Sequence, residues 1–102
     1  MVPPLIGELD RQPMNIDILE HPEMAQMEPA IEETLRDPER VVQSISDPAV
    51  HLYYRFYFRT VVGGKFLCVV VKMGAAGAFV LTAYLTNRIK KGDRLWPSRK
   101  DT

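Results

Sequence analysis

The sequence predicts an α+β domain whose N-terminal helices pack on one face of a three- to four-stranded antiparallel sheet. Three observations predict it. Met24, Met27, Ile31 and Leu35 recur at spacings of three and four, the period of a helix face. From Leu52 onward the pattern becomes alternation or unbroken apolar runs, the marks of strands. Glycine-rich turn signals, Gly63–Gly64 and Gly74–Ala75–Ala76–Gly77, separate those runs at hairpin distance.

Taken in order, residues 1–15 hold Pro3, Pro4, Gly7 and Pro13 and read as a loop, or a short edge strand at Leu5–Leu9. A single domain is expected over 16–96, with a flexible tail over 97–102. Helical pattern begins near Ile16. Pro22 and Pro29 interrupt it, which predicts two helical pieces or a kink, the second ending at Arg36. Asp37–Pro38 then reads as a helix start, with Asp37 capping and Pro38 in the first turn of a short helix over Pro38–Ser44. A turn follows over Ser44–Pro48.

The strands come next. In Leu52–Arg59, Leu52, Tyr54, Phe56 and Phe58 point one way; Tyr53, Arg55, Tyr57 and Arg59 point the other. Lys65–Lys72 is almost continuously apolar and fits the interior of a sheet. Ala78–Thr86 alternates again, with Val80, Thr82, Tyr84 and Thr86 on one side. Leu95 and Trp96 are expected to pack back onto the sheet edge. With the more apolar set of each strand turned to the helices, the other face would gather tyrosines, threonines and arginines.

Composition narrows the class. With 102 residues the chain suits one core, and 46% hydrophobic with 25% charged residues are globular values. The lone Cys68 sits in an apolar run and reads as a buried hydrophobe in a reducing compartment. With no long apolar run and no basic leader, a cytoplasmic location and no membrane partner are expected. The charge is divided along the chain. Residues 1–48 carry eleven acids against three arginines, a net of −8; residues 49–102 carry ten bases against two acids, a net of +8. Such asymmetry points either to an anionic partner or to halves that neutralise each other in the fold.

The polar sheet face is the candidate site. Arg55 and Arg59 suit phosphate, Tyr53 and Tyr57 suit unpaired bases, and Thr82, Tyr84 and Thr86 supply hydroxyls beside them. Lys65 and Lys90–Lys91 stand at the strand ends. The plainer alternative is a solvated antiparallel face, where these residue types are common. His21 is suited to general acid–base work, or to a cap beside Pro22; His51 reads as structural. Two histidines and one distant cysteine lack zinc-ligand spacing, and no Gly-rich phosphate loop is present, so no metal or cofactor is expected.

The segments HPEM (21–24), AIEETLRDPERV (30–41), YYRFY (53–57), GGKFLCVVVK (63–72) and FVLTAYLTNRIKKGDRLW (79–96) resemble the small phage- and plasmid-associated branch of the barnase–EndoU–colicin–RelE-like nuclease superfamily. The resemblance covers roughly residues 21–96. It implies a barnase/RelE-like fold and metal-independent RNA cleavage, in which the ribose 2′-hydroxyl attacks the adjacent phosphate. By that resemblance His21 would be the base or acid, Arg55 and Lys65 would hold the phosphate, and Thr82, Tyr84 and Thr86 would line the site. Tyr53, Tyr57, Arg59 and Lys90 would contact the RNA. A toxin of this kind also implies an antitoxin or immunity protein as partner. The N-terminal segment departs from the pattern. Leu5–Glu20 is shorter than in such nucleases, and Asn15, Asp17 and Glu20 stand where a further histidine and a basic residue are expected. The alternative is therefore a catalytically inactive relative that binds RNA or a protein, and a third reading is an interaction domain whose acidic and basic parts pair with each other.

Overall fold

A short amphipathic helix beside long β-branched strands needs a sheet wide enough to cover it, and that is what forms. A computed structural model describes Met24 and residues 26–97 of the chain. The helix, α1 (Glu28–Arg36), begins rather than breaks at Pro29, whose missing amide donor costs nothing in the first turn. Met24, Ile31 and Leu35 of the predicted stripe are buried. Burying Ile31 and Leu35 contributes about 1.5–3 kcal/mol each. Among the described residues α1 is the one α-helix, where the sequence predicts several. The expected helical start at Ile16, the Leu5–Leu9 strand and residues 98–102 of the tail lie outside the described residues.

Five strands follow: β1 (Arg40–Gln43), β2 (Val50–Tyr57), β3 (Lys65–Gly74), β4 (Gly77–Thr86) and β5 (Asp93–Trp96). They form one antiparallel sheet in the order β4-β3-β2-β1-β5. The fold is thus α+β, but with five strands rather than three or four. The expected helix over Pro38–Ser44 is β1. Asp37 closes α1 instead of opening a new helix, its amide donating to the Glu33 carbonyl at 2.8 Å. Val41 and Val42 explain the change. Both are buried, and adjacent residues can be buried on opposite sides only in a strand whose two faces are covered. The expected packing of Leu95 and Trp96 on the edge becomes pairing. Trp96 opposes Val41, and its indole donates to the Pro38 carbonyl at 3.1 Å.

The β2–β3 turn also moves from its predicted place. Thr60 and Gly63 exchange backbone hydrogen bonds at 3.2 and 3.1 Å, so Val61 and Val62, not Gly63–Gly64, form the tip. The Thr60 hydroxyl accepts from the Val62 amide at 3.1 Å, fixing that turn.

Two clusters lie on either side of the sheet. Against α1 stand Val41, Tyr53, Leu67, Val69, Val71, Val80 and Ala83. On the opposite, open face lie Val42, Leu52, Tyr54 and Cys68, with Val50, Phe66, Val70, Tyr84 and Ile89 beside them. Because β4 and β5 are opposite edges, the chain between them must cross the sheet. The Asn87–Gly92 strap does so on the open face: Ile89 packs on that cluster and the Lys90 amide donates to the Tyr54 hydroxyl at 3.0 Å.

Two groups give stability a pH dependence. Burial lowers the pKa of half-buried His51, whose Nδ1 has no hydrogen-bond partner. Near and below pH ~6.5 the unfolded chain therefore binds a proton that the folded chain refuses. The contribution is fully present above that pH and is lost as pH falls. The Lys72 hydrogen bond, then the Ala49 amide, hold Asp47 below the usual carboxylate range, so its contribution is lost only under acid conditions, below pH ~4. We expect urea midpoints to fall in two steps on acidification, with His51→Leu removing the first. A flat wild-type profile between pH 7 and 5 contradicts this assignment.

Candidate functional site

Register decides which polar residues meet. Across β2, β3 and β4 the open face carries successive rows: Phe56–Phe66–Thr86, Tyr54–Cys68–Tyr84 and Leu52–Val70–Thr82. The intervening rows, Arg55–Leu67–Leu85 and Tyr53–Val69–Ala83, face α1. The sequence expectation that Tyr53, Arg55, Tyr57 and Arg59 share a face with Thr82, Tyr84 and Thr86 is therefore corrected for the residues within β2. The more apolar set of β2 faces the strap, and the more polar set faces the helix.

The acidic helix makes that arrangement favourable. Half-buried Arg55 donates to the Asp37 carbonyl at 2.7 Å and to its carboxylate at 3.3 Å, and its Nε lies 3.7 Å from Glu33. A cation at this C-terminal end also complements the helix dipole. The Tyr57 hydroxyl lies 2.6 Å from a Glu33 carboxylate oxygen and 3.1 Å from the Ala30 carbonyl. Burial, then the Glu33 hydrogen bond, push its phenol up to about 12. Tyr53 is wholly buried in the core. Part of the charge asymmetry is thus cancelled within the fold by Arg55 with Glu33 and Asp37, and by Lys72 with Asp47 at 2.5 Å.

What remains uncancelled lies elsewhere. A groove of about 570 Å³ opens between the Ser44–Ile45–Ser46 turn and the strap. Val50, Leu52 and Val70 make its floor, Thr82 and Tyr84 one wall, and Lys90 and Lys91 its rim. The Lys90 ammonium lies 5.9 Å from the centre of the Tyr84 ring, a cation–π contact. Beneath it, Tyr54, Cys68 and Tyr84 stand side by side in one row of the sheet. Burial above all, then the proximity of Cys68, raises both phenols, and burial raises the thiol. All three stay neutral at pH 7, so the two lysines set the potential of the groove. An apolar floor with a cationic rim suits an anion that carries a flat or apolar body.

Of the predicted site residues, Thr82, Tyr84 and Lys90 converge on this groove. Thr86 is on the same face but closes the turn after β4 with Arg88. Lys65 donates to Asn87 at 2.5 Å, and Arg59 is exposed in the hairpin loop. His21 lies outside the described residues. Among the described residues lining the groove there is neither a carboxylate nor an imidazole. Sequence reasoning missed Ser44, Ile45, Ser46 and the aliphatic floor. Ile45, exposed in a turn between two serines, was the available signal.

Comparison with family models, with curated proteins and with solved structures returns no match.

Proposed function

We propose that this chain acts on RNA at the open-face groove, as a metal-independent endoribonuclease of the toxin or phage-effector kind. The observation that supports it is the convergence of Thr82, Tyr84 and Lys90 on one cationic, apolar-floored groove. In this reading a phosphate sits on the Lys90–Lys91 rim while an unpaired base lies over Leu52 and Val70. The Thr82 hydroxyl donates a hydrogen bond to a phosphate or base oxygen, while Tyr84, its hydroxyl buried, forms the wall and holds the Lys90 ammonium over its ring. The ribose 2′-hydroxyl attacks phosphorus, its proton passing to His21, and the bond to the 5′-oxygen breaks as that oxygen takes a proton from water. Lys90 offsets the charge that gathers on the phosphoryl oxygens. Arg55 and Tyr53 take no part, and Tyr57 supports the helix rather than the ligand.

A second reading, a binding module without cleavage, is favoured by two observations. Arg55 is committed to Glu33 and Asp37, and the described residues lining the groove supply no base. Incubation with mixed single-stranded RNA in EDTA separates the two. The first reading expects cleavage that leaves 2′,3′-cyclic phosphate ends and is lost in His21→Ala. Intact RNA, retained by the protein in a steeply salt-dependent manner, establishes the second instead. Neither cleavage nor retention at low salt removes RNA as the ligand.

A further inference from the structure

Four aromatic rings form an unbroken series from the middle of the open face to the β2–β3 hairpin. Tyr54 meets Phe66 edge to face with centroids 6.4 Å apart; Phe66 meets Phe56, and Phe56 meets Phe58, each at 5.1 Å. The series runs from core to solvent. Tyr54 is buried, Phe56 and Phe66 are half-buried, and Phe58 is 84% exposed. Gly64 keeps room for it, since a Cβ there would lie 3.1 Å from the Phe56 ring. Phe58 is therefore an exposed ring held from one side by another ring.

Its neighbours along the chain carry charge of one sign, and the Glu39 carboxylate accepts from the Phe56 amide at 3.0 Å. The sequence has no acid between Pro48 and Gly92, and exposed Arg59 directly follows Phe58. An isolated Phe on a hairpin is ordinarily a liability, because it offers apolar area to any partner. Here the exposed ring is supported by Phe56 from one side, with exposed Val61 and Val62 at the hairpin tip and exposed Arg59 next to it in the chain. That combination matches the two halves of an unpaired nucleotide: a base that stacks, and a phosphate that takes a bidentate cation.

We propose that Phe58 and Arg59 form a second nucleotide subsite, making the open face a path for single-stranded RNA rather than a pocket for one nucleotide. The proposal rests on the reading of the groove as an RNA site and extends it. Phe58 lies four residues along the chain from Tyr54, about 13 Å at the rise of a strand, so one nucleotide cannot touch both ends. The groove of Thr82, Tyr84 and Lys90 holds one nucleotide, and the hairpin stacks a later one. A double helix, with its bases already stacked on each other, cannot offer a free base to Phe58.

The test is affinity against RNA length, with uridine mononucleotide and oligouridylate octanucleotide as probes for wild type, Phe58→Ala and Phe58→Trp. Wild type should bind the octanucleotide far more tightly than the mononucleotide. Phe58→Ala should weaken the octanucleotide about tenfold and leave the mononucleotide unchanged, while Phe58→Trp keeps both. Equal octanucleotide affinity in wild type and Phe58→Ala overturns the subsite and leaves the groove reading standing. Failure of wild type to bind either probe overturns the groove reading, and the subsite with it. Sedimentation without RNA supplies the other decisive outcome. A concentration-dependent mass that Phe58→Ala abolishes assigns the ring to contact between copies, which overturns its role in RNA binding.

Discussion

Gly92→Ala should lower the melting temperature by about 10–20 °C, the largest stability effect expected of a single methyl group in this fold. A Cβ at that position would lie 2.3 Å from the Gln43 carbonyl oxygen and 2.6 Å from Val42 Cγ1. Neither neighbour can yield at small cost. Gln43 is backbone in β1, paired on one side with β2 and on the other with β5, and Val42 belongs to the open-face cluster. Overpacking of this kind costs roughly 2–3 kcal/mol. The strain must be relieved by lifting the strap, which withdraws Ile89 from the open-face cluster and displaces Lys90 and Lys91 from the rim. In the proposed RNA reading, weakened RNA binding should accompany the lower melting temperature. Thermal denaturation followed by circular dichroism checks the first effect; a change below ~3 °C would mean that the strap does not approach β1 as described.

How much of this was legible beforehand varies by element. The Ile31–Leu35 stripe and the end of α1 at Arg36 could be read directly, because an isolated amphipathic helix shows its buried face in spacing alone. The strands β2, β3 and β4 were legible for the same reason. β1 was not. Asp37–Pro38 carries a genuine helix-start signal, and the evidence against it, two adjacent valines buried on opposite faces, exists only once both α1 and the strap are in place. β5 was visible as Leu95 and Trp96 but not as a strand, since four residues have too little pattern to separate pairing from packing.

The site was legible in part. Thr82 and Tyr84 could be placed on one face because β4 alternates strictly in that half of its length, and Lys90 at its end because it follows the strand. The choice of face for β2 went the other way. Leu52, Tyr54 and Phe56 are more apolar than Tyr53, Arg55 and Tyr57, and the usual expectation turns the apolar set to the helix. That expectation assumes one covered face. Here the strap covers the second, and α1 presents Glu33, Asp37 and the Ala30 carbonyl as partners for Arg55 and Tyr57. Acid content in α1 and basic content in β2 were both plain in the sequence; that they would meet depended on the topology.

The functional consequence of that topology is a separation of two cationic groups that the sequence treats alike. Lys90 and Lys91 are exposed at the groove rim, whereas Arg55 is a quarter exposed and tied to α1. In the proposed RNA reading, replacing both lysines by glutamine removes two phosphate contacts. RNA affinity at low salt should drop roughly tenfold to a hundredfold, and the slope of log affinity against log salt should flatten by about 1.4. Stability should change little, because neither ammonium is desolvated. Arg55→Ala should do the reverse. It removes hydrogen bonds from a charged donor to the end of α1, at about 1–2 kcal/mol after allowance for exposure, and leaves RNA affinity within roughly twofold.

Measuring RNA affinity as a function of salt for wild type, Lys90→Gln/Lys91→Gln and Arg55→Ala, each shown to be folded by its melting curve, tests the placement of the working surface most directly. The predicted result is loss of affinity and a flattened salt slope in the double lysine variant alone. Loss confined to Arg55→Ala, with the lysine variant binding as wild type does, would put the working surface on the helix side of the sheet and contradict the account.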